Sequence, residues 1–307
     1  MPRNSSDGVW GERKKYRFSL ITATPDDVES LLIEKFFGGF PVVFSSGRGA
    51  MKLIVQEFWT SKEIPIFQYA SQCVVEAIQA AAVTPYSRTD FTSEIIYNQW
   101  GELDMGCEKT PFIEDSCDTF LPEGSSVLQH GAQFEIWSLP KILHSRFGAI
   151  VWCRNNEHAK FLRKTRDISK RGVIKKQILR NFRNSSKWNY KTWQTSEFKT
   201  YKLSKFEYGT LLRDVSEWGK LYDERLKLIK KNSFLLNQKY SIYLEYRKDF
   251  ESGIQVPLAP VFLLELSEEQ LSALVGDTKF QVMHKIQSGN RPQKVTVYKF
   301  LQKGNFK

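Results

Sequence analysis

The chain has 307 residues, of which 41% are hydrophobic and 26% are charged. These values are those of an ordinary globular protein, and they exclude a disordered tail, a collagen-like repeat and a small disulfide scaffold. The longest apolar runs, 73–83 and 147–153, are too short to cross a bilayer, and no apolar stretch follows the N-terminus. We therefore expect a cytoplasmic protein without a membrane span, whose four cysteines stay reduced.

The net charge of +11 comes from one part of the chain. Residues 161–206, the basic segment, contain 14 Lys or Arg and two acidic residues, which leaves 31 basic and 32 acidic residues elsewhere. Such a run with interleaved aromatics is typical of a surface for nucleic acid, anionic lipid or a diphosphate, but it also describes a solvated helix face and a basic loop. No zinc-finger spacing or aromatic RNA-binding signature accompanies it, so we do not expect nucleic acid as a partner.

Strand and helix signals alternate along the first half of the chain. Thr24 suits a helix N-cap, Pro25 suits the first helical position, and the helix is predicted to end at Gly38. Apolar runs then predict buried strands at 41–44, 64–67, 94–99, 111–115, 133–137 and 148–152, with helices at 51–59, 72–82 and 156–166. This alternation predicts an α/β fold with a mostly parallel sheet that is covered on both faces.

A change of character after residue 205 predicts a second domain. We expect a large domain over residues 1–205, with an N-terminal arm at 1–17, and a smaller C-terminal α+β domain over 206–307. The smaller domain is predicted to contain a polar helical stretch at 206–250, a helix at 267–275 and strands at 260–266 and 295–301.

Three segments that could carry chemistry follow predicted strands directly, and the carboxyl ends of strands are where an open α/β sheet builds its ligand site. The turn 45–50 suits a phosphate at a helix N-terminus, or it serves only to turn the chain. Asp115 can pair with a ligand cation, or it caps the next turn. Lys141 lies between apolar residues, either as an amine nucleophile in a partly desolvated site or as a lysine that snorkels from a loop.

Together the three segments fit pyridoxal 5′-phosphate (PLP). This cofactor needs a lysine for its Schiff base, a carboxylate beside its pyridine nitrogen and a cup of backbone amides for its phosphate. All three occur here, in the chain order cup, carboxylate, lysine. The four histidines have no metal-ligand spacing with one another or with cysteine, so no metal is expected.

The order of these motifs also resembles that of a known family. The segments SSGRGAMKL, FIEDSCDTF, FEIWSLPKIL and NEHAKFLRKTRD, within residues 40–166, are similar to those of the DegT-type (DegT/DnrJ) sugar aminotransferases, which are fold-type I PLP enzymes. The resemblance implies that Lys141 is the Schiff-base lysine and that Asp115 is the partner of the pyridine nitrogen. It also implies a set of phosphate ligands, namely Ser46, Gly47, Arg48, Gly49 and the hydroxyl of Ser138.

The same resemblance implies two further cofactor contacts. An aromatic residue stacks on the cofactor ring in the family, and Tyr69 is the candidate here, with Ser71 at that place in another alignment. Asp118 stands three residues after the carboxylate, where the family places Gln or His near the phenolic oxygen of the cofactor.

The function that the resemblance implies is PLP-dependent amino transfer to a keto-sugar, nucleotide-linked, in polysaccharide, O-antigen or other glycan biosynthesis. Glutamate is the expected amino donor and a homodimer the expected assembly, because fold-type I sites are completed across a dimer interface. The basic segment is then expected to hold the substrate diphosphate beside the cofactor. Three alternatives stay open. The first is other PLP chemistry on the same scaffold, such as a lyase, dehydratase or decarboxylase, and the second is a degenerate, non-catalytic homologue. The third is a binder of nucleic acid or of a membrane surface that acts through the basic segment.

Overall fold

A computed structural model describes most of the first 169 residues and parts of the rest of the chain. The described residues are 20–61, 63–64, 66–67, 72–83, 86–87, 94–98, 110–117, 119–143, 145, 147–169, 202–224, 226–227, 234, 238, 261–264, 269, 272, 281–286 and 294–299.

Helices and strands alternate in this part of the chain. The helices are α1 (Pro25–Lys35), α2 (Gly47–Phe58), α3 (Gln72–Gln79), α4 (Leu139–Ile142), α5 (Asn156–Ile168) and α6 (Lys205–Ser216). The strands are β1 (Phe40–Phe44), β2 (Ile66–Phe67), β3 (Tyr86–Ser87), β4 (Ile95–Tyr97), β5 (Ile113–Asp115), β6 (Phe134–Ser138), β7 (Ala149–Cys153), β8 (Val261–Leu264), β9 (Gln281–Ile286) and β10 (Lys294–Lys299).

The first helix begins where its capping residues predict. Thr24 Oγ1 accepts a hydrogen bond from Asp27 N at 3.2 Å, and the Asp27 carboxylate accepts one from Thr24 N at 2.7 Å, which closes a capping box. Pro25 fits the first position because it has no N–H that would need a partner there. The helix ends at Lys35, and Gly38, with a φ of +98°, turns the chain toward β1.

Five strands form the central sheet, in the order β1-β7-β6-β5-β4. β4, β5 and β6 pair in parallel, whereas β7 pairs antiparallel with both β6 and β1. It follows that β1 runs in the same direction as β4, β5 and β6, and that β7 is reversed. The predicted α/β fold with a mostly parallel sheet is confirmed. A separate parallel pair joins β2 to β3.

Helices α2, α3 and α5 cover one face of the central sheet. Buried residues of these helices, such as Ile54, Ile78 and Leu162, pack with Val42 of β1 and Val151 of β7 in one apolar cluster. This burial follows the apolar spacing that predicted the helices. Among the described helices, none has both the length and the apolar composition that a membrane-crossing segment needs.

The opposite face is covered by α1, α6 and a further helical stretch at 218–224. Trp137 and Trp152 of the sheet pack there with Phe36 and Trp218, all of them buried. The ring centroids of Phe36 and Trp137 lie 5.0 Å apart, as do those of Phe36 and Trp218, in edge-to-face arrangements. Aromatic packing on this side therefore ties the start of the chain to residues beyond 200.

A buried ion network closes the outer edge of β1. Val43 N donates to Glu29 Oε1 at 2.9 Å, and Pro41 O accepts from Arg163 Nη2 at 3.0 Å. Glu29 is also paired with Arg163 Nε at 2.8 Å and with the Arg166 guanidinium. Backbone N–H and C=O groups that stay unpaired at a sheet edge can pair with a strand of another chain. Here side chains of the same chain already bind two of these groups, Val43 N and Pro41 O.

The C-terminal part of the chain contains a three-stranded antiparallel sheet, in the order β8-β10-β9. β8 and β10 confirm the strands predicted at 260–266 and 295–301, whereas β9 was not predicted. α6 begins at Lys205 and contributes to the core of the central sheet. The division into domains 1–205 and 206–307 stays a prediction.

Gly209 of α6 lies against the backbone of the segment that precedes α1, and alanine at this position should destabilise the protein. Its Cβ would stand 1.7 Å from Ile21 O and 2.6 Å from Ile21 C, which are backbone atoms that cannot rotate away. The backbone hydrogen bond from Ala23 N to Lys205 O, at 3.0 Å, holds this segment in place. We expect Gly209→Ala to lower the free energy of unfolding by about 1–3 kcal/mol, as overpacking substitutions do, in denaturant unfolding.

Gly219→Ala is the matched control for this prediction. Its Cβ would meet the end of the Glu123 side chain, at 3.2 Å from Oε1, and a side chain can give way where a backbone cannot, so we expect a change within about 0.5 kcal/mol. Equal losses in the two variants would show that the contact with Ile21 is not the cause.

Candidate active site

Three of the predicted site segments lie at the same edge of the central sheet. β1, β5 and β6 run in one direction, so that their carboxyl ends, at Phe44, Asp115 and Ser138, face the same side of the fold. Gly47 at the start of α2 lies between them, because a Cβ built on it would be 3.8 Å from Ile136 Cγ2 and 3.9 Å from Cys117 Sγ. The turn after β1 and the ends of β5 and β6 are thus neighbours in space.

Asp115 is the last residue of β5. Its side chain is 8% exposed and lies on the face of the sheet that also carries Ile113 and packs against α2. Cys117 N donates a hydrogen bond to Asp115 Oδ1 at 3.2 Å. A buried carboxylate at the carboxyl edge of the sheet can accept a hydrogen bond from a ligand cation.

The first turn of α2 offers donors to an anion. The first intrahelical hydrogen bond runs from Ala50 N to Ser46 O at 3.0 Å, so the N–H groups of Gly47, Arg48 and Gly49 have no acceptor within the helix. Ser46 is the N-cap, but its hydroxyl makes no capping bond, and no acidic residue stands in the first turn. The helix dipole adds positive potential at this end.

Lys141 follows β6 within the short helix α4. Ser138 is the N-cap of α4, and its hydroxyl makes no capping bond. Lys141 is half-buried between the buried residues Leu139 and Ile142. Lys141 thus follows the end of β6, at the same edge of the sheet as Asp115, and its role as an amine nucleophile stays a prediction.

Gly148 ties the lysine turn to the start of α2. Its N–H donates to Ser45 O at 3.0 Å, and its carbonyl accepts from Leu139 N at 3.2 Å. Its φ is +101°, and a Cβ there would stand 3.0 Å from Leu139 Cδ1. Glycine is required at this position, because both the backbone conformation and the close approach exclude a side chain.

The donor set at this edge fits PLP. Backbone N–H groups and the hydroxyls of Ser46 and Ser138 suit a phosphate, the Asp115 carboxylate suits a protonated pyridine nitrogen, and the Lys141 amine suits an aldehyde. Within the described ranges, no group of three or more His, Cys, Asp or Glu residues could hold a metal ion.

Other predicted contacts lie outside the described residues. These are Tyr69, its alternative Ser71, Asp118 and residues 170–201 of the basic segment. Two residues that the sequence analysis did not single out belong to the same edge, namely Asn98 after β4 and Ser116 after β5, and both are buried. The apolar pattern predicted a strand at 94–99 that includes Asn98, whereas β4 ends at Tyr97, so that Asn98 directly follows the strand only in the structure.

The reverse face of β5 and β6 holds a second pair of carboxyl groups. Glu114 and Glu135 are register partners and both are buried. Glu114 Oε2 lies 2.9 Å from His130 Nδ1, whereas Glu135 accepts hydrogen bonds from Leu128 N at 2.6 Å and from Trp137 Nε1 at 2.7 Å. Burial raises the pKa of Glu135 from 4.5 to about 7, and repulsion from Glu114 contributes to the increase.

This raised pKa makes the stability of the protein depend on pH through Glu135. Between pH 4.5 and 7 the folded protein binds a proton that the unfolded chain releases, so the contribution of Glu135 to folding is lost as the pH rises through 7. Glutamine does not titrate. We therefore expect the free energy of unfolding of Glu135→Gln, relative to the parent protein, to increase by about 3 kcal/mol from pH 4.5 to pH 8.

Denaturant unfolding at the two pH values measures this difference. Glu34→Gln is the control, because Glu34 is exposed on α1 and the same substitution there removes no buried carboxyl group. A Glu135→Gln variant whose stability follows that of the parent at both pH values would contradict the assignment.

The chain matches one protein-family model, described as "Putative PLP-dependent aminotransferase", over residues 33–263. This range is more than half of the chain. No curated protein matches the sequence.

Solved structures of similar fold cover nearly the whole chain. One of them is PseC from Helicobacter pylori, an aminotransferase involved in the biosynthesis of pseudoaminic acid. It has a TM-score of 0.60 and 10% identity, and the alignment covers 95% of this chain and 92% of the PseC chain. A DegT DnrJ EryC1 StrS aminotransferase from Brucella abortus has a TM-score of 0.58 and 11% identity, with coverages of 92% and 87%. 8-Amino-7-oxononanoate synthase from Francisella tularensis has a TM-score of 0.52 and 14% identity, and the alignment covers 94% of this chain and 85% of the synthase.

At these identities the solved structures show the fold. The fold-type I class and the resemblance to DegT-type aminotransferases are confirmed. The family match confirms the PLP cofactor and the aminotransferase class.

Proposed function

We propose, because the chain belongs to this family of PLP-dependent aminotransferases, that it transfers an amino group from glutamate to a nucleotide-linked keto-sugar. The observation that carries the proposal is the meeting of the α2 N-terminus, Asp115 and Lys141 at one edge of the sheet. A protein of similar fold, described as a "Putative sugar aminotransferase" from Streptococcus pneumoniae, supports a sugar as the acceptor. Polysaccharide biosynthesis, O-antigen included, is the corresponding proposed role.

Each segment of the edge has one part in holding the cofactor. The N–H groups of Gly47, Arg48 and Gly49, with the hydroxyls of Ser46 and Ser138, would bind the phosphate. Asp115 would accept a hydrogen bond from the pyridine nitrogen, and the Lys141 amine would hold the cofactor through its aldehyde. When bound, the cofactor supplies an electron sink for the negative charge that develops on the carbon beside the amino group.

Lys141 and Asp115 then perform different tasks. The incoming donor amine would displace Lys141 from the cofactor. Lys141 Nζ, then a neutral amine, would take the proton from the carbon that carries the amino group of the donor and later return a proton to the acceptor carbon. Asp115 keeps its negative charge beside the pyridine nitrogen and so holds a proton there. The apolar neighbours of Lys141, Leu139 and Ile142, limit the access of water to the amine.

Further parts of the proposal rest on residues outside the described ranges. By the family resemblance, Tyr69 would stack on the cofactor ring and Asp118 would contact its phenolic oxygen. Residues 170–201 of the basic segment would bind the diphosphate of the nucleotide, and a second copy of the chain would complete the site. We also propose a cytoplasmic location, where thiols such as those of Cys117 and Cys153 stay reduced.

Substrate comparison tests this function. The purified protein is supplied with PLP and glutamate, and then with a nucleotide-linked keto-sugar or with the same keto-sugar without its nucleotide. We expect an aminated sugar nucleotide and a kcat/KM at least about tenfold higher than for the free sugar, a difference of about 1.4 kcal/mol in transition-state binding. This preference should decrease in high salt, because the basic segment acts through charge.

Two results would contradict the proposal. Loss of water or of a fragment from the sugar without amino transfer would favour lyase or dehydratase chemistry on the same scaffold. Binding of PLP without turnover of any amino donor would favour a non-catalytic homologue.

A further inference from the structure

We propose that Asn98 and Ser116 are positioning residues that fix the Asp115 carboxylate through a buried hydrogen bond between their side chains. The proposal rests on the proposed role of Asp115 toward the pyridine nitrogen. It assigns to the end of β4 a part in the site, although β4 itself carries none of the proposed cofactor ligands.

The end of β5 is held from both sides at Asp115. On the β4 side, Asn98 N donates to Asp115 O at 3.0 Å. On the β6 side, Ser116 N donates to Ile136 O at 3.0 Å. Beyond the strand, Cys117 N donates to Asp115 Oδ1 at 3.2 Å. These bonds fix the backbone of Asp115 and one of its carboxylate oxygens.

The side chains of Asn98 and Ser116 add a second connection between β4 and β5. Asn98 Nδ2 donates to Ser116 Oγ at 2.8 Å, and the two residues are 1% and 0% exposed. One buried hydrogen bond therefore links the ends of the neighbouring strands β4 and β5.

The hydrogen bond between Asn98 and Ser116 fixes the position of β4 relative to β5, because buried polar groups tolerate little displacement. A buried amide or hydroxyl without a partner is costly, so any shift of β4 relative to β5 that breaks the pair is opposed. An apolar pair at 98 and 116 would pack without a directional bond and would not oppose such a shift. Since Asp115 is bonded to Asn98 and precedes Ser116, its position is coupled to the pair.

Cofactor affinity of the apo-protein tests this coupling without any sugar substrate. The dissociation constant of PLP is measured by absorbance titration for Asn98→Ala, Ser116→Ala and the double variant. We expect each single variant to bind PLP about tenfold more weakly, and the double variant to bind no more weakly than the weaker single one, because both substitutions break one bond. Ser116→Thr keeps the hydroxyl and should restore the affinity.

Ser125→Ala is the matched control. Ser125 is also buried, and its hydroxyl donates one hydrogen bond, to Pro122 O at 2.6 Å, in the loop that pairs with the end of α1. It should lose a similar amount of thermal stability and keep PLP affinity within about twofold of the parent.

The outcomes separate this proposal from the proposed function. Parent-like PLP affinity in both single variants, with stability losses like that of Ser125→Ala, would overturn the positioning role. Independent, additive losses of affinity would also overturn it, because the two residues would not act as a pair. Failure to aminate a sugar would leave the titration unaffected and would count against the proposed substrate alone.

Discussion

Replacement of Lys141 by alanine is expected to reduce the rate of amino transfer by about a hundredfold to ten-thousandfold, the range that a positioned general acid–base group contributes. The methyl group cannot bind the cofactor aldehyde or carry a proton to and from the substrate carbon. We also expect the visible absorption band of the PLP-loaded protein to be lost. Overall stability should change little, because Lys141 is half-buried and the apolar packing of α4 comes from Leu139 and Ile142.

Lys160→Ala serves as the control for this substitution. Lys160 is an exposed lysine on α5 that pairs with Glu157 at 2.7 Å, a surface contact of small energetic value. Its loss should leave both the absorption band and the turnover unchanged. A Lys141→Ala protein that keeps the band and the activity of the parent would rule out the assignment of Lys141.

Asp115→Asn should lower turnover by about a hundredfold to a thousandfold, a loss comparable to the removal of one preorganised electrostatic contact in an active site. The amide has the same shape as the carboxylate and can still accept the hydrogen bond from Cys117 N. It lacks the negative charge that keeps the pyridine nitrogen protonated. We therefore expect the variant to retain much of its PLP while kcat falls.

Comparing kcat with the PLP dissociation constant distinguishes this role from a structural one. Asp223→Asn, at an exposed position, should change neither quantity. Near-normal turnover in Asp115→Asn would move the role to another carboxylate, and Asp118 is the first alternative because it lies three residues further along the chain.

The parts of the fold that the sequence predicts well are those with local causes. α1 is an example, since Thr24, Pro25 and Asp27 specify its start within four residues. The reversal of β7 has no local cause. A strand such as 148–152 is apolar throughout whichever way it runs, and its direction depends on how the chain crosses from β6, through α4 and Gly148.

The candidate site divides in the same way. Asp115 and Lys141 could be selected from the sequence because polar residues directly after buried strands meet at one edge of a parallel sheet. The bond between Asn98 and Ser116 could not, because it depends on β4 being the neighbour of β5 and on the register of that pair. The local pattern of apolar and polar residues does not indicate which distant strands pair or in what register.

Covalent mapping of the cofactor lysine tests the central claim most directly. The PLP-loaded protein is reduced with borohydride, which converts the bond between lysine and cofactor into a stable amine, and is then digested and analysed by mass spectrometry. The proposed site predicts one modified peptide, with the phosphopyridoxyl group on Lys141. A modification at another lysine, or a protein that binds PLP without any reducible bond, would contradict it.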